Sequence, residues 1–361
     1  MTIIGIDMFN LITQEHHMIR DAVRKLFNSL QAKDTERRQL AKVRIDGATV
    51  GRALGELGLF DTGADDLAMT SAQVQASVAI ESGAAALPFP VLEALTTHAL
   101  AMGRCTTTVS AGATRTLSSA NYSQPDFPML RDGRLHGVAR LVPFVHLADH
   151  VVINAWRGGE MELVEVRLND PNLTREARAT VEPDYPLEDL RFDGAAATPL
   201  AEGAKANGAL DGFLQQRTAL LAAAEIAGAC RSMVAMTREY LLLRTQFGQV
   251  LGANQSLKHA LADNHVRVEA MVASIDYAAA AMDADDVDAE AAIFAAKHFA
   301  GRAGKVVADS TLQMHGAIGY TMEFPLHLLM RRVHRLTTSY GSNRTQADRL
   351  FDIFQRGCVN D

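Results

Sequence analysis

Cysteine is scarce in this chain. Cys105, Cys230 and Cys358 are the only three among 361 residues, and none lies near another in sequence. That spacing excludes a disulfide framework and a CxxC zinc site, and it fits a reducing compartment. The histidines, His16-His17, His259, His265, His327 and His334 among them, show no HExxH or other ligand spacing, so no metal is expected. Ser110, Ser118 and Ser119 lie in no GxSxG context, which removes the usual nucleophile elbow. An excess of basic charge is missing too: 35 Lys and Arg against 42 Asp and Glu give a net charge of −7, which argues against a broad nucleic-acid footprint. The first residues, Met1-Thr-Ile-Ile-Gly-Ile-Asp7, carry no basic segment ahead of a long apolar core, so no signal peptide is expected. The most apolar window, Ala219–Ala229, is broken by Glu225 and soon followed by Arg231, well short of a membrane span. A soluble, cytoplasmic protein is the expectation.

What is present divides into three textures. From Phe9 to about Arg104 the pattern is helical, with Ile12, His16, Ile19, Val23 and Leu26 recurring at threes and fours. Leu54, Leu57 and Leu59-Phe60 follow, then a break at Gly63-Ala-Asp-Asp66 and a second run over Val74–Ser82, for which Gly83 is the expected stop. Between Thr106 and about Pro199 prolines and β-rich runs appear. Val151-Val-Ile153 and Met161–Val166 are separated by turn signals at Asp132-Gly133, Gly158-Gly159 and Asn169-Asp-Pro171. From Leu210 the chain is helical again. Ile226, Ala229, Met233, Met236, Tyr240, Leu243 and Phe247 form one stripe in a run that reaches Leu251. A second stripe runs from Leu257 to Met282. A third helix opens near Asp286–Asp288 and ends at His315-Gly316, a fourth starts near Pro325, and a short last one covers Thr345–Phe354. This segregation predicts separate domains rather than an alternating α/β sheet. They are an N-terminal helical domain over 1–105, a central β-barrel-like domain over 106–203, and a C-terminal four-helix bundle over 204–361.

Two short stretches in the bundle carry chemistry. Arg244-Thr-Gln-Phe-Gly248 closes the long helical run, with Gln255 seven residues beyond Gly248. An arginine there suits a helix C-terminus and Phe247 completes the apolar stripe, so packing alone accounts for both. Equally, an arginine can hold a pyrophosphate while a nearby aromatic covers an adenine. Gln313-Met-His-Gly-Ala-Ile-Gly-Tyr-Thr321 is a helix end followed by a glycine-bearing loop. It serves either as a helix cap or as backbone that approaches a ligand. It follows a helix rather than a strand, so it is not a Rossmann fingerprint. The basic cluster Arg331-Arg332 and His334-Arg335 reads as a solvated or interface face, with an anionic ligand as the alternative.

Taken together, the order of domains, Arg-x-x-Phe-Gly and Gln-x-x-Gly-x-x-Gly-Tyr-Thr resemble the acyl-CoA dehydrogenase family. The resemblance is strong over Leu210–Arg335, fair at Ser82–Pro90 and poor in the β domain. It implies FAD as cofactor and hydride acceptor, α,β-desaturation of an acyl-CoA substrate, and an electron-accepting flavoprotein as redox partner. It also implies a homo- or hetero-oligomer, a dimer or dimer of dimers. In such an assembly Arg244 and Phe247 serve the FAD pyrophosphate and adenine of a neighbouring subunit, and Gln255, Gln313 and Gly316 complete that pocket.

The departures are equally specific. The family's base is a glutamate in a Tyr-Glu-Gly-Thr stretch, and the matching stretch here is Tyr340-Gly341-Ser342-Asn343. The alternative station, ten residues before Gly228 on the first long helix, holds Thr218. Abstraction of a thioester α-proton needs a carboxylate in reach, and neither station supplies one, so the catalytic base is unassigned. Glu323 and Glu225 are other carboxylates, but no spacing favours them, and Glu225 reads as a polar interruption in the bundle. Val109–Thr114 stands where the family has Thr-Glu-Pro-x-x-Gly-Ser-Asp. The pattern resembles the shortened partner subunits of heteromeric acyl-CoA dehydrogenases, where one chain keeps the base and the other supplies the adenine-side residues. Those relatives lead one to expect a bulky, steroid-derived acyl group.

Overall fold

The computed structural model describes residues 14–41, 43–59, 70–103, 105, 114–118, 124–246 and 248–359. Two compact units form, and they do not follow chain order. One gathers the described parts of residues 1–32, 71–86 and 219–361; the other gathers residues 33–70 and 87–218. Helix α1 (Gln14–Ala41) and helix α5 (Ala204–Leu243) each contribute one part to either unit. The three sequence segments therefore name textures of the chain, while the units record where it packs.

The second unit is built on a closed sheet. Its strands are β1 (Arg115–Leu117), β2 (Met129–Arg131), β3 (Arg134–Pro143), β4 (His150–Arg157), β5 (Glu160–Arg167), β6 (Leu173–Arg178) and β7 (Leu187–Pro199). The path β4-β2-β3-β7-β5 returns to β4 through the β4–β5 pairing, with β1 beside β4 and β6 beside β7. The result is the barrel-like domain expected from the strand-rich texture. Two of its hairpins are fixed by backbone that favours glycine: Asp132-Gly133 at φ 51° and 72°, and Gly158-Gly159 at φ 59° and 94°. Positive φ at both central residues matches the right-handed twist of the flanking strands. Alternate residues turn inward, so that Leu135, Val142, Val151, Ile153, Val164, Leu190 and Phe192 fill the barrel. Helix α2 (Gly47–Glu56), capped by Asp46 accepting from the Thr49 amide at 2.8 Å, and helix α4 (Val91–Gly103) belong to the same unit. The first turns of α5 are tied to the barrel, where Asn207 Oδ1 accepts from the Leu163 amide at 2.9 Å.

The first unit is helical. It holds most of α1, then α3 (Ala72–Ala85), the larger part of α5, α6 (Gln255–Asp283), α7 (Ala289–His315), α8 (Leu326–Leu336) and α9 (Asn343–Val359). A two-residue hairpin, β8 (Thr245–Gln246) with β9 (Gln249–Val250), joins α5 to α6. The four-helix bundle and its small-residue face on α7 are as expected, with Ile293, Ala296, Ala300 and Val307 all buried.

Several boundaries and faces differ from expectation. Helix α3 does not stop at Gly83 but runs to Ala85 and is closed by Ala86 in the left-handed region, φ 50°. Gly83 instead marks a crossing: a Cβ there would stand 2.0 Å from the Glu225 carbonyl, and one at Gly228 would stand 1.8 Å from the Ile80 carbonyl. Helix α5 is shorter than Leu210–Leu251 suggested, ending at Leu243. Nor is it amphipathic through its middle, since residues 219–230 are buried on every side. By length and composition alone α5 could cross a membrane, but 72% of its apolar window is buried within the protein. Its stripe surfaces at the end, where Leu243 is 83% exposed. On α8 the basic cluster splits. Arg332 and Arg335 are buried, not solvated, with Arg332 donating to the Ser82 carbonyl at 3.4 Å.

Because two backbones touch at the α3–α5 crossing, Gly228→Ala is expected to cost at least about 2 kcal/mol through forced separation of the helices. A fall of several degrees in Tm by differential scanning fluorimetry checks this, and an unchanged Tm would count against the crossing.

Candidate functional site

The candidate residues meet at one end of the bundle. Arg244 follows α5 directly; its amide donates to the Tyr240 carbonyl at 2.9 Å, while its guanidinium side chain is exposed. The hairpin then folds back, with the Leu251 amide donating to the Arg244 carbonyl at 2.8 Å. Gly252 packs so close that a Cβ would meet the Leu241 carbonyl at 3.0 Å. That return places Gln255, the exposed first residue of α6, beside the end of α5. Phe247 lies outside the described residues.

The end of α7 reaches the same place through a ring stack. The Tyr240 ring lies 4.7 Å from the His315 ring at 27°, and Phe324 lies 4.7 Å from the other partner of that contact, His315, at 47°. His315 Nδ1 faces the Thr311 carbonyl at 2.8 Å, and no partner for its Nε2 is found among the described residues. Burial pushes His315 below the ordinary imidazole value, with the Thr311 bond working the other way, so the ring is neutral at pH 7. Gln313 sits exposed two residues before it. Gly316 follows at φ 64°, with nothing within 4 Å of where a Cβ would point. Gly319 is different, because a Cβ there would press on Leu312 at 2.9 Å and on His315 at 3.1 Å. Gly316 thus leaves open space over its backbone, whereas Gly319 serves packing.

Arg244, Gln255, Gln313 and Gly316 therefore lie on segments at the same end of the bundle, where the Tyr240–His315–Phe324 stack joins the end of α5 to the end of α7. The periodicity of α5 marked Tyr240 only as part of a stripe. Nothing local in sequence marks Phe324, and His315 reads there only as the end of a helix. Among the described residues no three His, Cys, Asp or Glu gather as metal ligands.

The two stations expected for a base are occupied in ways that go beyond the missing carboxylate. Gly341 has φ 92°, and a Cβ there would stand 2.2 Å from Gln346 Nε2. Gln346 is buried and donates to the Tyr340 carbonyl at 3.0 Å. Thr218 is buried, and its hydroxyl donates back to the Leu214 carbonyl at 2.7 Å. Glu225 is no mere interruption. It accepts from Ser82 Oγ at 3.0 Å and lies 3.9 Å from Arg335, both groups buried. That leaves its carboxylate engaged in the core rather than available to a substrate. Glu323 is exposed in the loop from α7 to α8. Of the Val109–Thr114 stretch, only Thr114 is among the described residues.

A profile described as the acyl-CoA dehydrogenase C-terminal domain matches residues 208–352. Acyl-CoA dehydrogenase IpdE2 of Mycolicibacterium smegmatis is 31% identical over 192 residues, 53% of this chain and 58% of that protein. Over residues 208–352 the chain belongs to the acyl-CoA dehydrogenase C-terminal domain family. Family members of known structure share the fold along almost the whole chain. A variant of the Tcur3481-Tcur3483 steroid ACAD superposes with a TM-score of 0.83 at 23% identity, covering 96% of this chain and 99% of the other. The ChsE4-ChsE5 complex from Mycobacterium tuberculosis gives 0.83 at 21%, covering 95% and 98%. At such identities the likeness is one of fold. The aligned stretch spans little more than half the length of the IpdE2 relative.

Within reach of the Arg335 charge lies Lys297, wholly buried and donating to the Leu336 carbonyl. Burial, and next the Arg335 charge, lower its pKa from 10.5 to about 7. Below pH 7 folded and unfolded chains both hold the proton, so the penalty of burying it is complete. Between about 7 and 10.5 the folded chain loses that proton while the unfolded chain keeps it, so stability rises with pH across this window. Lys297→Met is expected to abolish that rise; urea unfolding at pH 6.5 and pH 9.5 measures it, and an unchanged slope would refute the assignment.

Proposed function

We propose that this chain acts in a flavin-dependent acyl-CoA dehydrogenase oligomer as the subunit that supplies the adenine side of FAD, while another chain supplies the catalytic base. The observation that carries this reading is the pairing of an open donor set with two closed base stations. Arg244, Gln255 and Gln313 are exposed at the end of the bundle where Gly316 leaves its backbone open, whereas Gly341 and Thr218 offer no carboxylate.

The donor set suits the dinucleotide half of FAD. A guanidinium pairs with pyrophosphate, two carboxamides can donate to and accept from adenine edges, and the bare Gly316 backbone admits close approach. In the family the aromatic at Phe247 covers the adenine. When bound, FAD supplies the acceptor for the hydride that leaves the acyl β-carbon. Arg244 holds the diphosphate, Gln255 and Gln313 orient the adenine end, and the neutral His315 stack keeps their helices in register. None of these groups takes the α-proton, which passes to a carboxylate of the partner chain.

Exposed Leu242, Leu243, Ile318, Tyr320 and Met322 surround the same end of the bundle. An apolar rim about a charged donor set is the composition of a subunit contact rather than a solvent-facing surface. It supports a cofactor shared across an interface. The family likeness supports desaturation of an acyl-CoA by a heteromer containing this chain, and a bulky acyl group fits the heteromeric members it resembles.

Purification of the chain alone and together with the product of a neighbouring gene tests the proposal, with the flavin spectrum and acyl-CoA-dependent bleaching as readouts. Flavin and bleaching are expected only for the pair, and Arg244→Ala in the pair is expected to lower flavin occupancy by roughly tenfold or more, the loss of a charge-assisted contact. Stoichiometric flavin with bleaching in the lone chain would overturn the shared-site reading, and absence of flavin in both preparations would overturn the cofactor assignment.

Restoring the carboxylate alone should fail. Gly341→Glu places a residue with a side chain at positive φ against Gln346, so no acyl-CoA-dependent bleaching is expected of this variant by itself. Its appearance in stopped-flow measurements would show that the station is still usable.

A further inference from the structure

A second group of polar side chains lies in the barrel unit and shares no residue with the bundle end. A cavity of about 370 Å³ is lined there by Asp149 and His150 at the start of β4, Arg167 and Asn169 around the end of β5, and Arg175 on β6. We propose that this cavity binds the phosphate of a small phosphate ester.

Three cationic or titratable groups converge on it. His150 and Arg167 are directly opposed in the antiparallel β4–β5 pairing, so their side chains share one face of the sheet. Arg175 reaches the same rim by donating through Nη2 to the Leu168 carbonyl at 2.6 Å, which spends one of its five N–H donors. The turn between β5 and β6 is rigid. Asp170 accepts from the Asn172 amide at 2.8 Å and from the Ala196 amide at 3.0 Å. Arg167 has no carboxylate partner among the described residues, although surface arginines elsewhere in this unit do, as at Arg140–Asp126 and Arg178–Glu176.

His150 supplies an independent observation. It is only 8% exposed, and its Nδ1 finds no hydrogen-bond partner among the described residues. A buried polar atom left without a partner is costly, and an incoming ligand that supplies one relieves the cost. The single acid of the lining, Asp149, is already committed. Its Oδ2 accepts from the Thr114 amide at 2.9 Å and from the Thr114 hydroxyl at 2.8 Å, bonds that hold its carboxyl below the usual carboxylate range. Two guanidiniums against one spent carboxylate leave the cavity net positive even with a neutral imidazole. Forked donors from two arginines match the oxygens of a phosphate, and the volume leaves room for the group that bears it.

Isothermal titration of the whole chain with inorganic phosphate and with adenosine 3′,5′-bisphosphate, in chloride-matched buffer, tests the proposal, with the His150 ring signals followed by NMR. Saturable binding of at least one probe is expected, with a shift at His150, and Arg167→Gln should weaken it roughly tenfold with no change in Tm. Equal affinity for the two probes would confine recognition to the phosphate, and tighter binding of the nucleotide would extend it to the ester body; both support the site. No saturable binding of either probe at concentrations on the order of 10 mM overturns it. Binding left unaltered in both Arg167→Gln and the conservative Arg175→Lys overturns it as well.

Discussion

The helical unit depends on the contact between the backbones of α3 and α5. Gly83 and Gly228 remove the Cβ atoms that would hold the two helices apart, and each glycine meets the carbonyl of a residue on the other helix. That approach lets Ser82 donate to Glu225, and it brings α8 near enough for Arg332 to reach the Ser82 carbonyl. A cluster of buried charge, Glu225, Arg332, Arg335 and Lys297, therefore sits around an apolar crossing. Such groups are tolerated only where every neighbour is fixed, and the crossing fixes them.

The same geometry separates two uses of polar side chains. Inside the unit, Glu225 is held by Ser82 and Arg335, and Lys297 by the Leu336 carbonyl, so they specify packing. At its end, Arg244, Gln255 and Gln313 point outward with no such commitments. The family's chemistry needs groups of the second kind on the cofactor and a free carboxylate on the substrate. Among the described carboxylates near the crossing, Glu225 and Glu81 are both engaged by partners within the unit.

Much of this was legible in sequence, for reasons that differ by region. Periodicity located α5 to α9 because long helices repeat their buried positions many times, as with Ile293 through Val307. Dipeptides such as Asp132-Gly133 and Gly158-Gly159 located hairpins because few other residues accept their backbone. What escaped was long-range. Gly83 reads as a helix stop unless one knows that Glu225 lies against it, and Arg332 reads as solvated unless Ser82 is known to be near. The ring stack of Tyr240, His315 and Phe324 joins residues up to 84 apart (324 less 240), a relation no local pattern encodes. Phe247 carries half of the first motif yet lies outside the described residues, so its motif rests on Arg244 alone.

The division of the chain into two units also sets an order of events during synthesis. The helical unit draws on residues near 14–32 and 71–86, but most of it comes from 219–359. Its earliest helices must wait, with their apolar faces uncovered, while the strands of the other unit are made between them. The wholly apolar middle of α5 then emerges ahead of α6, α7 and α8, the helices that complete its unit. Contacts this distant in sequence form late and leave hydrophobic surface uncovered while they do. A nascent chain of this design carries the apolar middle of α5 before α6, α7 and α8 are made to complete its cover.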